Sequence, residues 1–154
     1  MSDPYDRPTL SSSIHYEDPM RAFEWLQKAF GFEPKMLITD ADGNLGHSEL
    51  GLGGGIIYVG GKWADFVGTP TGTGGLNTQM IHVHLKENID AHCERARAAG
   101  ARIEQEPADQ FYGDRTYRAK DFEGHVWTFG QTIKRMTPEE WDAASGGLKT
   151  KMFD

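Results

Sequence analysis

The chain has 154 residues, one domain's length by the usual range of about 100–200. Its 38% hydrophobic and 25% charged residues are ordinary for a globular protein, large enough to fold without a metal or disulfide. With 16 basic against 23 acidic residues the formal charge is −7, which repels phosphate backbones and argues against nucleic-acid binding. No run approaches the ~18 apolar residues of a spanning helix. The polar start, Met1 to Leu10 with two prolines, does not read as a secretory signal. Cys93 is the single cysteine, so no internal disulfide forms. These features point to a soluble protein in a reducing, cytoplasmic setting, without a membrane partner. Glycine is the outlier: 19 residues, about 12% against a typical ~7%, scattered as if to punctuate many tight turns.

Residues 1–9 read as a flexible lead-in. A β-type run follows over Leu10–Glu17, where Ile14 and Tyr16 alternate with Ser11, Ser13 and His15. Asp18-Pro19 supplies an N-cap acceptor and a first-turn proline for a helix carrying Ala22, Phe23, Leu26, Ala29 and Phe30, ended by Gly31. Lys35–Asp40, Leu45–Leu52 and Ile56–Val59 read as strands, parted by Asp42-Gly43 and Gly53-Gly54-Gly55 turns. Gly60–Asn77, with six glycines, one proline and three threonines, reads as a linker or mobile loop. Gln79–Lys86 alternates again, with Met80, His82 and His84 on one face and Ile81, Val83 and Leu85 on the other. A second helix runs from Ile89 to Ala99, ended by Gly100. Short strands follow at Ala101–Gln105, Thr116–Lys120 and Val126–Gln131, and the capping box Thr137-Pro138-Glu139-Glu140 opens a C-terminal helix holding Trp141.

The two halves repeat one order: strand, helix, three strands. An offset of 69 lays Ser13 on His82, His15 on His84, Ala22 on Ala91 and Gly31 on Gly100. An offset of 70 lays Gly43 on Gly113, Gly54 on Gly124 and Gly60 on Gly130. Local motifs add to this. Tyr112-Gly113-Asp114-Arg115 and Asp121-Phe122-Glu123-Gly124-His125-Val126-Trp127 resemble the closing hairpin of the vicinal oxygen chelate superfamily, with Phe122 where that group usually has proline. His47-Ser48-Glu49-Leu50-Gly51-Leu52-Gly53 and Arg95-Ala96-Arg97-Ala98-Ala99-Gly100 resemble the third strand and second helix of its glyoxalase/bleomycin-resistance branch. The resemblance covers about residues 10–132. It implies an α+β fold of two βαβββ modules (the glyoxalase/bleomycin-resistance/dihydroxybiphenyl-dioxygenase fold) around a shared cavity, plus a short C-terminal helix. The modules fall at 10–60 and 79–132, with a Gly-rich linker at 61–78 and a helix and tail at 133–154.

In metal-dependent members of that superfamily, His and Glu ligands come from the first and last strand of each module. Carried over, the sites fall near Ser11, Met80, Tyr58 and Thr128, none a good ligand for a divalent ion. A two- or four-residue shift on the first strands brings up His15, His82 and His84, a candidate metal set for Ni, Mn, Zn or Fe. His47 and Glu49 share one strand face, and His82 and His84 share another, so a rearranged His/Glu site is the alternative to polar pocket residues. Glu49 is the candidate general base, against a solvated strand residue. Arg118, with Arg115 and Lys120, is placed to hold an anionic group, against a charged strand edge. Phe111 and Tyr112 are candidates for stacking on a ligand, and Thr128 faces the cavity between core residues Trp127 and Phe129. Ser13, His15, His47, Glu49, His82, His84, Phe111, Tyr112, Arg118 and Thr128 are therefore the candidate ligand-binding residues. Cys93 reads as a buried structural thiol.

Three functions stay open. The first is a small-organic-molecule binder of the glyoxalase/bleomycin-resistance type, without that family's usual metal. The second is a metal-dependent lyase, isomerase or dioxygenase-type oxidoreductase with a divergent His/Glu site. The third is a non-enzymatic dimeric binding protein. The resemblance also implies a homodimer, which the helix with Trp141 would clasp.

Overall fold

Local chemistry sets the helix ends. In the computed structural model, which describes residues 3–154, Asp18 Oδ1 accepts from the Arg21 amide at 3.2 Å and opens α1 (Pro19–Phe30). Gly31, at φ +80°, ends it in the left-handed conformation that glycine adopts without strain. Helix α2 (Ile89–Ala98) starts differently: Asn88 caps nothing with its side chain, and Gln131 Oε1 takes the Ile89 amide instead. Thr137 caps the C-terminal helix α3 (Pro138–Ser145).

The strands are β1 (Ser11–His15), β2 (Glu33–Thr39), β3 (Leu45–Leu52), β4 (Gly55–Gly60), β5 (Ile81–Leu85), β6 (Arg102–Asp109), β7 (Asp114–Lys120) and β8 (Val126–Thr132). They form two four-stranded sheets of matching order, β1-β4-β3-β2 and β5-β8-β7-β6. In each, the first strand lies parallel to the last and the other pairs are antiparallel. The fold is thus α+β, with two βαβββ modules and a short C-terminal helix. Edge strands β2 and β6 run longer than their hydrophobic pattern implies. Each contains a proline, Pro34 or Pro107, beside a register shift, where an edge strand tolerates a missing donor.

The inner faces share one core. Leu50, Ile57 and Val59 of the first sheet and Tyr117, Ala119, Trp127 and Phe129 of the second enclose Leu26, Phe30, Cys93 and Ala96 of the helices. The Phe30 ring lies 4.8 Å from Phe129 and 5.2 Å from Trp127, so the first module's helix packs on the second module's sheet. Trp25 donates to the Ala99 carbonyl at 2.8 Å, and Arg95 donates to the end carbonyls of Gln27 and Lys28. Cys93 is buried here, and its loss of solvation pushes the thiol up to about 11, consistent with a structural role.

The turn Asp121–His125 fastens the two modules. Asp121 Oδ2 accepts from Tyr16 Oη at 2.7 Å and Trp127 Nε1 at 3.1 Å, while Oδ1 takes the amides of Glu123 and His125. Glu123 accepts from the amides of Glu17 and Asp18, and His125 Nε2 donates to the His15 carbonyl at 2.7 Å. Burial and the Asp121 carboxylate hold the Tyr16 phenol well above its ordinary range. The intervening segment departs from a freely mobile loop. Thr69 is buried and donates to Glu17, Asn77 donates to the Gly124 carbonyl, and a 3₁₀ turn spans Thr71–Thr73. Among the described residues no helix is long and apolar enough to cross a membrane.

Candidate functional site

Strand register puts one row of side chains across the outer face of each sheet. In the first, Ser13 pairs with Tyr58, Tyr58 with Glu49, and Glu49 with Met36. In the second, His82 pairs with Thr128, Thr128 with Arg118, and Arg118 with Gln105. The modules therefore place Ser13 and His82 beside Tyr58 and Thr128. This corrects the expectation of Ser11 and Met80: Ser11 pairs with Ile56, and Met80 precedes β5. At one equivalent position the first module holds a carboxylate, Glu49, and the second a guanidinium, Arg118.

Two cavities adjoin these rows. A seam cavity of about 490 Å³ lies between β1 and the β5/β8 edge, under the segment that links the modules. Ser13, His15 and His125 give it polar groups, while Ile81, Val126 and Phe66 give apolar wall. A hollow of about 410 Å³ lies on the outer face of the second sheet, over His82, Thr128, Arg118 and Gln105. Met80, Ile81, Gln110, Tyr112 and Thr116 complete its wall.

The structure divides the expected residues between these places. Ser13 and His15 line the seam cavity, and His82, Tyr112, Arg118 and Thr128 line the hollow. Phe111 stacks edge-on to Tyr112 at 5.2 Å, outside the hollow's wall. Burial, then the neighbouring His125, lowers the His15 pKa, and His15 Nε2 accepts from Trp63 Nε1 at 3.3 Å. His47 and Glu49 border neither cavity. The Glu49 side chain is 4% exposed, with Arg7 Nε 3.3 Å from Oε1 and His47 Nε2 4.0 Å from Oε2. Oε1 nonetheless has no hydrogen-bond partner, because the guanidinium approaches it too obliquely. The lead-in is thus held at Arg7, not loose throughout as its composition implies; Met1 and Ser2 lie outside the described residues. Arg115 pairs with Asp90 and Asp109, and Lys120 with Glu104, which leaves Arg118 to the hollow.

The His/Glu set is not assembled. His82 and His84 stack with ring centroids 6.1 Å apart, but His84 turns to Thr132 and Asp114, and His15 belongs to the other sheet. Among the described residues no three His, Cys, Asp or Glu side chains are grouped to hold a metal ion. The donors here do not fit a divalent cation, whose sites need several convergent imidazoles, carboxylates or thiolates. Sequence reasoning missed Arg7, Gln105, Gln110 and Thr116. The 69-residue offset that pairs Ser13 with His82 also pairs Met36 with Gln105, a signal sufficient to find one of them.

The model of the Glyoxalase/Bleomycin resistance protein/Dioxygenase superfamily matches residues 12–129. The chain belongs to this superfamily. Uncharacterized proteins of Mycobacterium bovis and Mycobacterium tuberculosis are 30% identical over 142 residues, covering 89% of this chain and 91% and 82% of theirs. TioX from Micromonospora sp. ML1 is 31% identical by structural alignment, with a TM-score of 0.64, over 82% of this chain and 99% of its own. TnmS3, an antibiotic-binding protein from Streptomyces sp. CB03234, shares the glyoxalase-superfamily fold at 16% identity and a TM-score of 0.63, over 84% of this chain and 99% of its own.

Proposed function

We propose that this glyoxalase-superfamily protein binds a small organic molecule in the seam cavity, without the metal used by other members. The observation that carries this reading is the cavity itself. About 490 Å³ is within the ~300–1,000 Å³ of small-molecule sites, and apolar wall broken by a few polar groups is their usual lining. Ser13, His15 and His125 orient the ligand, and Ile81, Val126 and Phe66 supply apolar contact. The described antibiotic binding of TnmS3 supports the same class of role. The working form is proposed to be a homodimer, since Ile38, Met80 and Phe111 leave apolar surface exposed on or beside the outer sheet faces.

A melting-temperature screen against a mixed library of neutral, cationic and anionic compounds tests the reading. At least one compound is expected to raise Tm in the native protein and to lose that effect in Ser13→Trp, which fills the cavity from an exposed position. A library with no stabilising compound, or hits indifferent to Ser13→Trp, overturns the seam-cavity assignment. Added Ni, Mn, Zn or Fe is expected to leave Tm unchanged. Sedimentation giving twice the chain mass supports the dimer, and a monomer at working concentration refutes it.

A further inference from the structure

We infer that the hollow on the second sheet is an anion site, taking a small organic acid with its carboxylate on Arg118 and its ring beside Tyr112. This rests on the small-molecule reading and specifies a ligand class for a second place on the same surface.

The argument begins with charge. The chain carries 23 acidic residues, yet among the described residues no Asp or Glu lines the hollow. The other arginines on strands are neutralised: Arg102 by Glu104, and Arg115 by Asp90 and Asp109. Arg118 has no carboxylate within ion-pair distance among the described residues. Its Nε donates to Thr128 Oγ1 at 3.1 Å. Because Nε is used on a neutral hydroxyl, the two terminal amino groups of the fork remain to meet an incoming anion, the geometry in which arginine grips a carboxylate.

The neighbours strengthen the donor character. Thr128 Oγ1 spends a lone pair on Arg118, so its hydroxyl proton is available to a ligand oxygen. Thr116 Oγ1 is in the same position, since it accepts from Gln110 Nε2 at 3.0 Å. Tyr112 presents a phenol at the rim, where it offers both a hydroxyl donor and a ring face. Gly130 lies beside the hollow, two residues along β8 from Thr128. A Cβ there would stand 3.1 Å from His82 Nε2, so the missing side chain lets the imidazole lie over β8 beside Thr128. The resulting chemistry is one unneutralised cation and several hydroxyl donors, with an aromatic edge, which favours a monoanion with a planar body over a neutral or cationic molecule.

The test uses benzoate, its neutral isostere benzamide and the cation benzylamine as probes of the full-length protein, followed by NMR of the arginine Nε–H signals and by titration calorimetry. Benzoate is expected to shift the Arg118 signal and to bind about tenfold or more tighter than benzamide, with benzylamine weakest. Arg118→Met is expected to abolish that preference. Arg118→Lys, which keeps the charge without the fork, is expected to restore part of it. Equal binding of benzoate and benzamide, retention of the preference in Arg118→Met, or no benzoate binding at all overturns the anion site. In each of those cases the small-molecule reading survives if the mixed library still yields hits sensitive to Ser13→Trp, and it falls separately if the library yields none.

Discussion

Asp121 shows how a single side chain decides more than its neighbourhood. Its two oxygens take four donors, from Tyr16, Trp127 and the amides of Glu123 and His125. Removing it leaves buried donors on both modules unpaired, each costing about 1–3 kcal/mol. Asp121→Ala is therefore expected to lose roughly 3 kcal/mol or more in urea unfolding, and Tyr16→Phe only about 1–2 kcal/mol, because that change takes away the donor and leaves Asp121 with its others. Equal losses would contradict the network. Glu49 makes the converse case. It is buried with an obliquely placed, partly exposed cation as its partner, so Arg7→Ala is expected to cost about 1–2 kcal/mol, discounted for solvent screening at Arg7. In the Glu49→Gln background the same change should cost little. A double-mutant cycle with no coupling would show that Arg7 does not hold the carboxylate.

At the scale of elements, turns and strand edges carry the precision. Gly113 sits at φ +95° in the tight turn before β7, and a Cβ there would overlap the Lys134 carbonyl oxygen. Gly113→Ala is expected to cost about 2–3 kcal/mol through left-handed strain and the displaced chain at Lys134, read as a lower urea midpoint. The same scale explains what was legible beforehand. Asp18-Pro19 and Gly31 set α1 to the residue, because capping is a local matter of a few atoms. The expected β2 and β7 begin two residues after the true starts at Glu33 and Asp114, and the expected β6 stops at Gln105 where the strand runs on to Asp109. Strands β2 and β6 are edge strands with prolines, which pair by tertiary contact against their own propensity. In the site, the faces of His82 and Thr128 were legible from alternation within their strands, and Arg118 from its place near the closing hairpin. Arg7 on Glu49 and Tyr16 on Asp121 were not, because contacts across long separations leave no periodicity to read. The His15/His82/His84 set failed for a related reason: a shared face within a strand says nothing about which sheet faces which.

Two histidines couple the molecule as a whole to acid, His92 and His15. His92 bridges three elements, its Nε2 donating to the Phe30 carbonyl at 2.8 Å and its Nδ1 accepting from the Tyr117 hydroxyl. Burial outweighs that carbonyl bond and lowers its pKa below the ordinary 6.5. His15, at the junction of the modules, is lowered as well. Both rings stay neutral in the fold while the unfolded chain takes up protons first. Stability is then full above about pH 6.5 and declines as the pH drops, until the folded rings protonate too. Tm measured from pH 8 down to pH 5 is expected to fall below pH 6.5. His92→Gln should start lower but lose less over the same interval; an unchanged slope would remove His92 from this account.

The parallel pairing of β1 with β4 and of β5 with β8 has a consequence for how the chain assembles. Ser11 meets Ile56 and Ile81 meets Trp127, so each opening strand closes a loop spanning nearly its whole module. The antiparallel runs β2-β3-β4 and β6-β7-β8 close over short turns and form with little entropic cost, whereas distant parallel contacts come late and slowly. During synthesis β1 leaves the ribosome before any partner exists and waits, unpaired, for β4 to follow. In each module the strand made first is the one whose pairing must close the longest stretch of chain.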